Sequence, residues 1–477
     1  MHHVVRQTLL WLGAGVVLQR VLQLVTFLLV GQALGVEGLG RFGQGQAVAA
    51  LLTALATTGV RNLAARAMAN APGAAAAAVR RAIAARLRLG AALAAAGAAV
   101  AFTTTAEPWF WTLWALQAVP AAFDLKNLLD AIGRTRGEVL LEAGASAAQF
   151  VLLLAWLSLP DHALWQAAAI VLACRTVYAI GAARLLRRLP QQATAATAAT
   201  AALQPTPGRG PIAVAQTAHE LLCLADVLLV ALLLGDRVAG LYALASRFAA
   251  AALLPSAQLA RLLLPHSLRA HRGGDTARTF ATALRVTLLT TAPMLAGGLV
   301  VATGLCRLSG EDFVAAAPTL RLLLLAGCLQ HVGWQCSHTL LAAHQDRAYA
   351  HGLGWPSALH VLLLLAAALA GGPAPLLALL AALAAALAQG TYATIGLLQT
   401  RAHRADEPLH LAQPLLIAAA VAIAAALPLP FADGAARLAA QVAAGGVALG
   451  LLLWRTELRG RWRRLGDGLC RASGFQA

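Results

Sequence analysis

Leu34-Gly35-Val36-Glu37-Gly38-Leu39-Gly40-Arg41-Phe42 returns, 200 residues later, as Leu234-Gly235-Asp236-Arg237-Val238-Ala239-Gly240-Leu241-Tyr242. The Leu-Gly pair, the later glycine and the aromatic residue keep the same spacing in both copies. The same offset aligns Arg61 with Arg261 and Gly73 with Gly273. Self-similarity at a fixed offset signals a repeated architecture. Each copy lies in a short link between two long apolar runs, where glycine permits positive φ and close helix approach.

Those runs set the class of the chain. Of its 477 residues, 60% are hydrophobic and only 12% charged, with a mean hydropathy of +0.72. A soluble chain is about a quarter charged. Too few charges remain here to cover a soluble globule, so a polytopic membrane protein is expected. Hydropathy and punctuation predict about fourteen spans. They fall near 8–30, 43–65, 89–105, 109–123, 139–159, 163–183, 212–234, 241–265, 284–304, 315–341, 352–370, 374–399, 411–426 and 436–454. The fourth and thirteenth are short for a crossing that needs about 20 residues. The weakly basic start Met1 to Arg6 leads into an apolar run too long for a signal peptide and without a small-residue cleavage site. The first helix is therefore expected to be kept.

Positive charge fixes the expected orientation. With the amino terminus inside and the spans alternating, 25 of the 36 basic residues fall on the inside, 4 on the outside and 7 within spans. That bias satisfies the positive-inside rule and places both termini in the cytoplasm. The net charge of +17 is then mostly an orientation signal at an anionic inner leaflet, not a nucleic-acid footprint. Six spans separate the two glycine motifs, so both halves enter the membrane in the same sense, as a parallel repeat. The Ala-, Thr- and Pro-rich stretch at 190–211 reads as a cytoplasmic linker. The expected layout is a first six-helix lobe over 1–189 and a second over 212–400. Two added helices over 401–454 and a basic cytoplasmic tail over 455–477 complete it.

The run from Arg20 to Ala69 resembles the opening of bacterial polysaccharide flippases of the Wzx type. So does the run from Ala225 to Pro265 for the second half, and the short basic loops at Gly133 to Glu138 and His344 to Arg347 are similar too. These flippases belong to the multidrug/oligosaccharidyl-lipid/polysaccharide exporter superfamily. One departure is Leu39, where the family often has an aromatic residue before the glycine. The resemblance implies a V-shaped all-α transporter in the bacterial inner membrane. Its cargo would be an oligosaccharide on undecaprenyl pyrophosphate, moved outward during surface polysaccharide, O-antigen or lipopolysaccharide synthesis. An ion gradient of H+ or Na+ would drive it, and a polysaccharide polymerase is a possible partner.

Charge at membrane depth faces a cavity or a partner. In the first span Gln19, Arg20, Gln23 and Thr26 form a polar stripe at helical spacing. The repeat offset places His219, Glu220, Cys223 and Asp226 at the equivalent positions of the seventh span. Arg20 suits the pyrophosphate, because a guanidinium matches phosphate oxygens through its planar fork. It also has a purely structural reading, an ion pair that holds one conformation. His219, Glu220 and Asp226 are the candidates for the coupling ion. Arg175, midway along the sixth span, is a second cavity cation. Arg61 and Arg261, near the inner ends of their spans, either snorkel to headgroups or form a basic entrance.

His331 and His338 lie seven apart on one helical face, near Cys328 and Cys336, with no carboxylate close by. A metal site there is not expected. No pair of the six cysteines has CxxC spacing, and no GxxxxGK[ST] loop is present, so no cofactor or direct use of ATP is expected.

Two other functions suit a polytopic chain less well. A cation antiporter of the same superfamily would need a cavity rich in acids and aromatics, whereas the spans hold seven Arg against three acids, Glu142, Glu220 and Asp226. A membrane polymerase or glycosyltransferase would need a sizeable extramembrane domain, and the longest outside loop is the short stretch 305–314. An enzyme is therefore not expected.

Overall fold

In a hydrocarbon layer every backbone N–H and C=O must find a partner within the chain, and helices meet that demand one segment at a time. The structure, a computed structural model, describes residues 2–57, 75–124, 135–161, 163–187, 210–258, 276–343, 345–400, 412–426 and 434–455. Among these residues there are thirteen α-helices and no strand. They are α1 (His2–Thr57), α2 (Ala75–Thr104), α3 (Pro108–Leu116), α4 (Thr135–Leu157), α5 (Leu164–Arg187), α6 (Gly210–Leu234) and α7 (Asp236–Ala252). They continue as α8 (Thr276–Arg307), α9 (Ala317–Ala342), α10 (Asp346–Ala370), α11 (Ala374–Gln399), α12 (Ala412–Ala426) and α13 (Gly434–Arg455).

Eight of the helical stretches are long and apolar enough to cross a membrane, and shorter apolar helices cover Cys223–Leu234, Pro414–Ala426 and Leu438–Leu449. The chain is a multi-pass membrane protein. α1 holds the first two expected spans in one bent element. Its backbone leaves the helix at Gly35, with φ 69° and ψ −172°. Gly235, between α6 and α7, makes the same departure with φ 93° and ψ 167°. The two glycines of the repeat thus share one rare conformation, which side chains with a Cβ seldom adopt. The expected fourth span is only the nine-residue α3, followed by a 3-10 turn at Pro120–Phe123. Pro120 brings no N–H to continue the helical ladder.

The chain divides into two compact units. The first comprises Met1–Leu34 with Arg41–Leu229, and the second Gly35–Gly40 with Val230–Ala477.

An aromatic core organises the first unit. Phe42 packs on Phe27 at 6.2 Å between ring centroids and meets Trp114 edge-on at 5.6 Å. Gly45 lies under the Trp114 indole, where any Cβ would collide with the ring. Gly90 makes similar room for the Ala118 carbonyl. Arg86, almost wholly buried, donates from Nη1 to the Asp124 carbonyl at 2.9 Å and so holds the end of the 3-10 turn. Trp156 donates from Nε1 to Gln166 Oε1 at 3.0 Å, tying α4 to α5.

In the second unit α9 lies against α11 through small residues. Gly333 faces the Tyr392 ring, Gly396 faces Cys336, and Ser337 shares a 2.7 Å hydrogen bond with the Tyr392 hydroxyl. α12 packs along α8 through Leu289, Ile417 and Val421, and α13 joins through Val301, Ala425 and Leu438. The two added helices are therefore built onto α8.

The second unit also takes in Gly35–Gly40, and there the two copies of the repeat meet each other. A Cβ on Gly40 would strike the Asp236 carbonyl and come within 3.0 Å of the Gly240 nitrogen. A Cβ on Gly240 would strike the Val36 carbonyl. Arg237 and Glu37, again 200 positions apart, approach to 4.0 Å. Position for position the contact is reciprocal, as in a two-fold interface. Leu39, next to Gly40, is fully buried.

Candidate functional site

The first arm of α1 carries the polar stripe, and the structure divides its members by what they touch. Gln19 is buried and donates from Nε2 to Glu142 Oε1 of α4 at 2.6 Å. Arg20, one residue on, is exposed and donates from Nη1 to Gln23 Oε1 at 3.3 Å. Thr26 donates its hydroxyl hydrogen to the Leu22 carbonyl of its own helix at 2.8 Å. The charges acting on Arg20 are Glu142, which attracts it, and Arg175 of α5, which repels it. Arg175 is exposed as well.

This arrangement puts two exposed guanidiniums and one carboxylate, partly engaged by Gln19, in one unit. These three groups sum to +1, which suits an anion better than a cation; Asp226 of the same unit lies outside the trio. A guanidinium is also the group whose donor fork matches phosphate oxygens.

The α6 stripe lies in the same unit, since the contact boundary falls after Leu229. His219 is buried, and its Nε2 stands 3.7 Å from Cys223 Sγ one turn away. Asp226 is half-buried. The backbone of Glu220 belongs to α6, but its side chain, like Arg61 and Arg261, lies outside the described residues. Of the expected site residues, the structure thus brings together Gln19, Arg20, Gln23 and Arg175. The partner that sequence reasoning missed is Glu142. One signal did point to it, its place among only three acids within spans. A contact across 123 residues has no local pattern to reveal it.

Arg321 donates to the Leu299 carbonyl at 3.2 Å and to the Thr303 hydroxyl at 3.3 Å, bracing α9 on α8. No group of three metal-ligating side chains occurs among the described residues.

No protein-family model matches the chain, and no curated protein matches it by sequence. Solved structures do match its fold. The lipid II flippase MurJ in an inward closed conformation superposes with a TM-score of 0.65 at 14% identity, over 93% of this chain and 98% of that one. An inward-facing multidrug resistance MATE family transporter of the MOP superfamily gives 0.62 at 14% identity, over 81% and 95%. The Vibrio cholerae MATE transporter VcmN gives 0.56 at 18% identity, over 83% and 95%. The chain therefore has the all-helical fold of MOP-superfamily transporters.

Proposed function

We propose that the protein is a flippase of the Wzx type. It moves an oligosaccharide carried on undecaprenyl pyrophosphate across the bacterial inner membrane by alternating access. The observation that carries this reading is the pair Arg20 and Arg175 beside the single carboxylate of Glu142. A group of side chains with that balance attracts a pyrophosphate and disfavours an organic cation. Arg61 and Arg261 would add a basic entrance, with Gln23 orienting the Arg20 guanidinium and Gln19 holding the Glu142 carboxylate. His219, Glu220 and Asp226 are the groups through which H+ or Na+ would couple. Binding and release make or break no covalent bond, so no enzyme chemistry is needed.

The test is a proteoliposome assay with a fluorescent pyrophosphate-linked oligosaccharide, read by accessibility to a membrane-impermeant quencher. The expected result is protein-dependent movement between leaflets. Proton-coupled uptake of organic cations, with no movement of the lipid, would replace this reading with that of a cation antiporter. The half-buried Asp226 is the observation that keeps the antiporter in view.

Both termini are placed in the cytoplasm by the 25-to-4 basic bias. A reporter fused after Ala477 should be active only if it folds in the cytoplasm. Activity of a periplasm-restricted reporter at that position would invert the topology.

A further inference from the structure

α9 presents His331, Gln335 and His338 on one face, at successive steps of four and three residues that rise about 6 Å and 4.5 Å. His331 retains 4% of its exposure and Gln335 1%. His331 Nδ1 lies 2.7 Å from the Gly327 carbonyl one turn back. A carbonyl only accepts, so Nδ1 carries the hydrogen and the neutral ring offers a bare lone pair at Nε2. That Nε2 is buried without a hydrogen-bond partner, and so are Gln335 Nε2 and His338 Nδ1. A buried polar atom without a partner costs about 1–3 kcal/mol. Three along one helix face form a line of unsatisfied polar atoms that water could serve only once the packing around them opens.

Burial opposes a positive charge on His331, and two neighbours offset that cost. The Gly327 carbonyl already holds the Nδ1–H. The Trp334 indole lies 4.6 Å away between ring centroids, at 56°, within range of a cation–π interaction. The acting groups are otherwise neutral. Among the elements packed on α9, α11 contributes Tyr392, which is bonded to Ser337 on the opposite face. On α8, the pairings of Cys328 with Thr291 and of Cys336 with Leu284 set Arg285 level with Gln335. Arg247 of α7 and His360 of α10 are the mid-helix groups of their elements. Glu311 and Asp312 stay in the 3-10 turn at the start of α9. No charged side chain among the described residues acts on His331.

We propose that His331 is a proton-binding site of the second unit. Its Nε2 takes one proton from water, giving an imidazolium that donates from Nδ1 to Gly327 and from Nε2 to water admitted along the Gln335–His338 face. The dry packing seen here accommodates the neutral ring. Protonation therefore favours a hydrated arrangement of α9, and the proton biases the conformational equilibrium through that difference. Its use in driving cargo rests on the flippase reading above, but proton binding itself does not.

The test follows tryptophan fluorescence of the full-length protein in lipid nanodiscs from pH 8 to pH 5, since an imidazolium against Trp334 quenches the indole. The expected result is a single-proton loss of emission that vanishes in both His331→Gln and Trp334→Phe. Trp334→Phe keeps the histidine and so guards against a folding defect in the first variant. A wild-type titration that persists unchanged in both variants, or no titration in the wild type, would overturn the proposal. If emission titrates through His331 while no pyrophosphate-linked lipid moves in the vesicle assay, the proton site stands and the flippase reading fails.

Discussion

On the flippase reading, Gly240→Val is expected to lower export by up to about tenfold while leaving the chain in the membrane. The Gly240 Cα abuts the Val36 backbone, so an added Cβ falls on a carbonyl and not on the end of a flexible side chain. Backbone on both sides leaves no rotamer change to relieve the clash. Overpacking of this kind costs about 1–3 kcal/mol even where side chains can yield. Each 1.4 kcal/mol is about tenfold in an equilibrium, so states with the two glycine turns parted should gain about tenfold or more. Gly40→Val should act in the same way, because the contact is reciprocal and its Cβ meets the Asp236 carbonyl.

The readout can be confined to the contact itself. Glu37 and Arg237 approach to 4.0 Å and are both largely exposed, so a cysteine at each position should cross-link with a short bifunctional reagent. Gly240→Val should lower that cross-linking, by up to about tenfold where the parted states already predominate. Gly446→Ala is the control, since nothing lies within 4 Å of its added Cβ. Equal cross-linking in Gly240→Val and Gly446→Ala would show that the crossing does not govern the conformation.

That crossing also shows how far the sequence could be read. The repeat is legible because positive φ favours glycine, so Gly35 and Gly235 stand at matching places in a chain otherwise dominated by Ala and Leu. That the two copies pack on each other was not legible. Spacing along the chain gives the period of a repeat but not which surfaces meet. The spans were readable from apolar length alone, down to the shortness of α3 and α12. The bend of α1 was less so, because a helix resumes directly after Gly35 with no loop between the arms.

The candidate site divides along the same line. Gln19, Arg20 and Gln23 were visible as a helical stripe, a local pattern. Glu142 and Arg175 come from α4 and α5, and only packing joins them to Arg20. The α9 face was half visible. His331 and His338 stood out by their spacing, but with no carboxylate nearby they suggested nothing beyond a metal pair to be rejected. The lone pair at His331 Nε2 emerges only from the Gly327 hydrogen bond and the burial of its neighbours.

The sign of two charge substitutions decides the cargo. A charged hydrogen bond between a guanidinium and a phosphate is worth about 1.5–3 kcal/mol. For an anionic cargo, Arg20→Ala should therefore lower export by about 10- to 150-fold at equal expression. Arg20→Lys should restore only part of it, since an ammonium keeps the charge but loses the planar fork. Arg175→Ala should fall in the same direction. Glu142→Gln removes the one carboxylate acting on Arg20 while keeping an acceptor for Gln19, so it should leave export intact or raise the apparent affinity severalfold. A cation antiporter predicts the reverse at both positions. Glu142→Gln would abolish transport, because the carboxylate would be the counter-ion of the cargo, and Arg20→Ala would relieve a repulsion and improve it. Near-normal lipid export by Arg20→Ala would leave Arg20 as an interhelical brace and remove it from the mechanism. Because Gln19 and Gln23 remain in every variant, a change of sign between the two substitutions reads cargo charge and not the stability of α1.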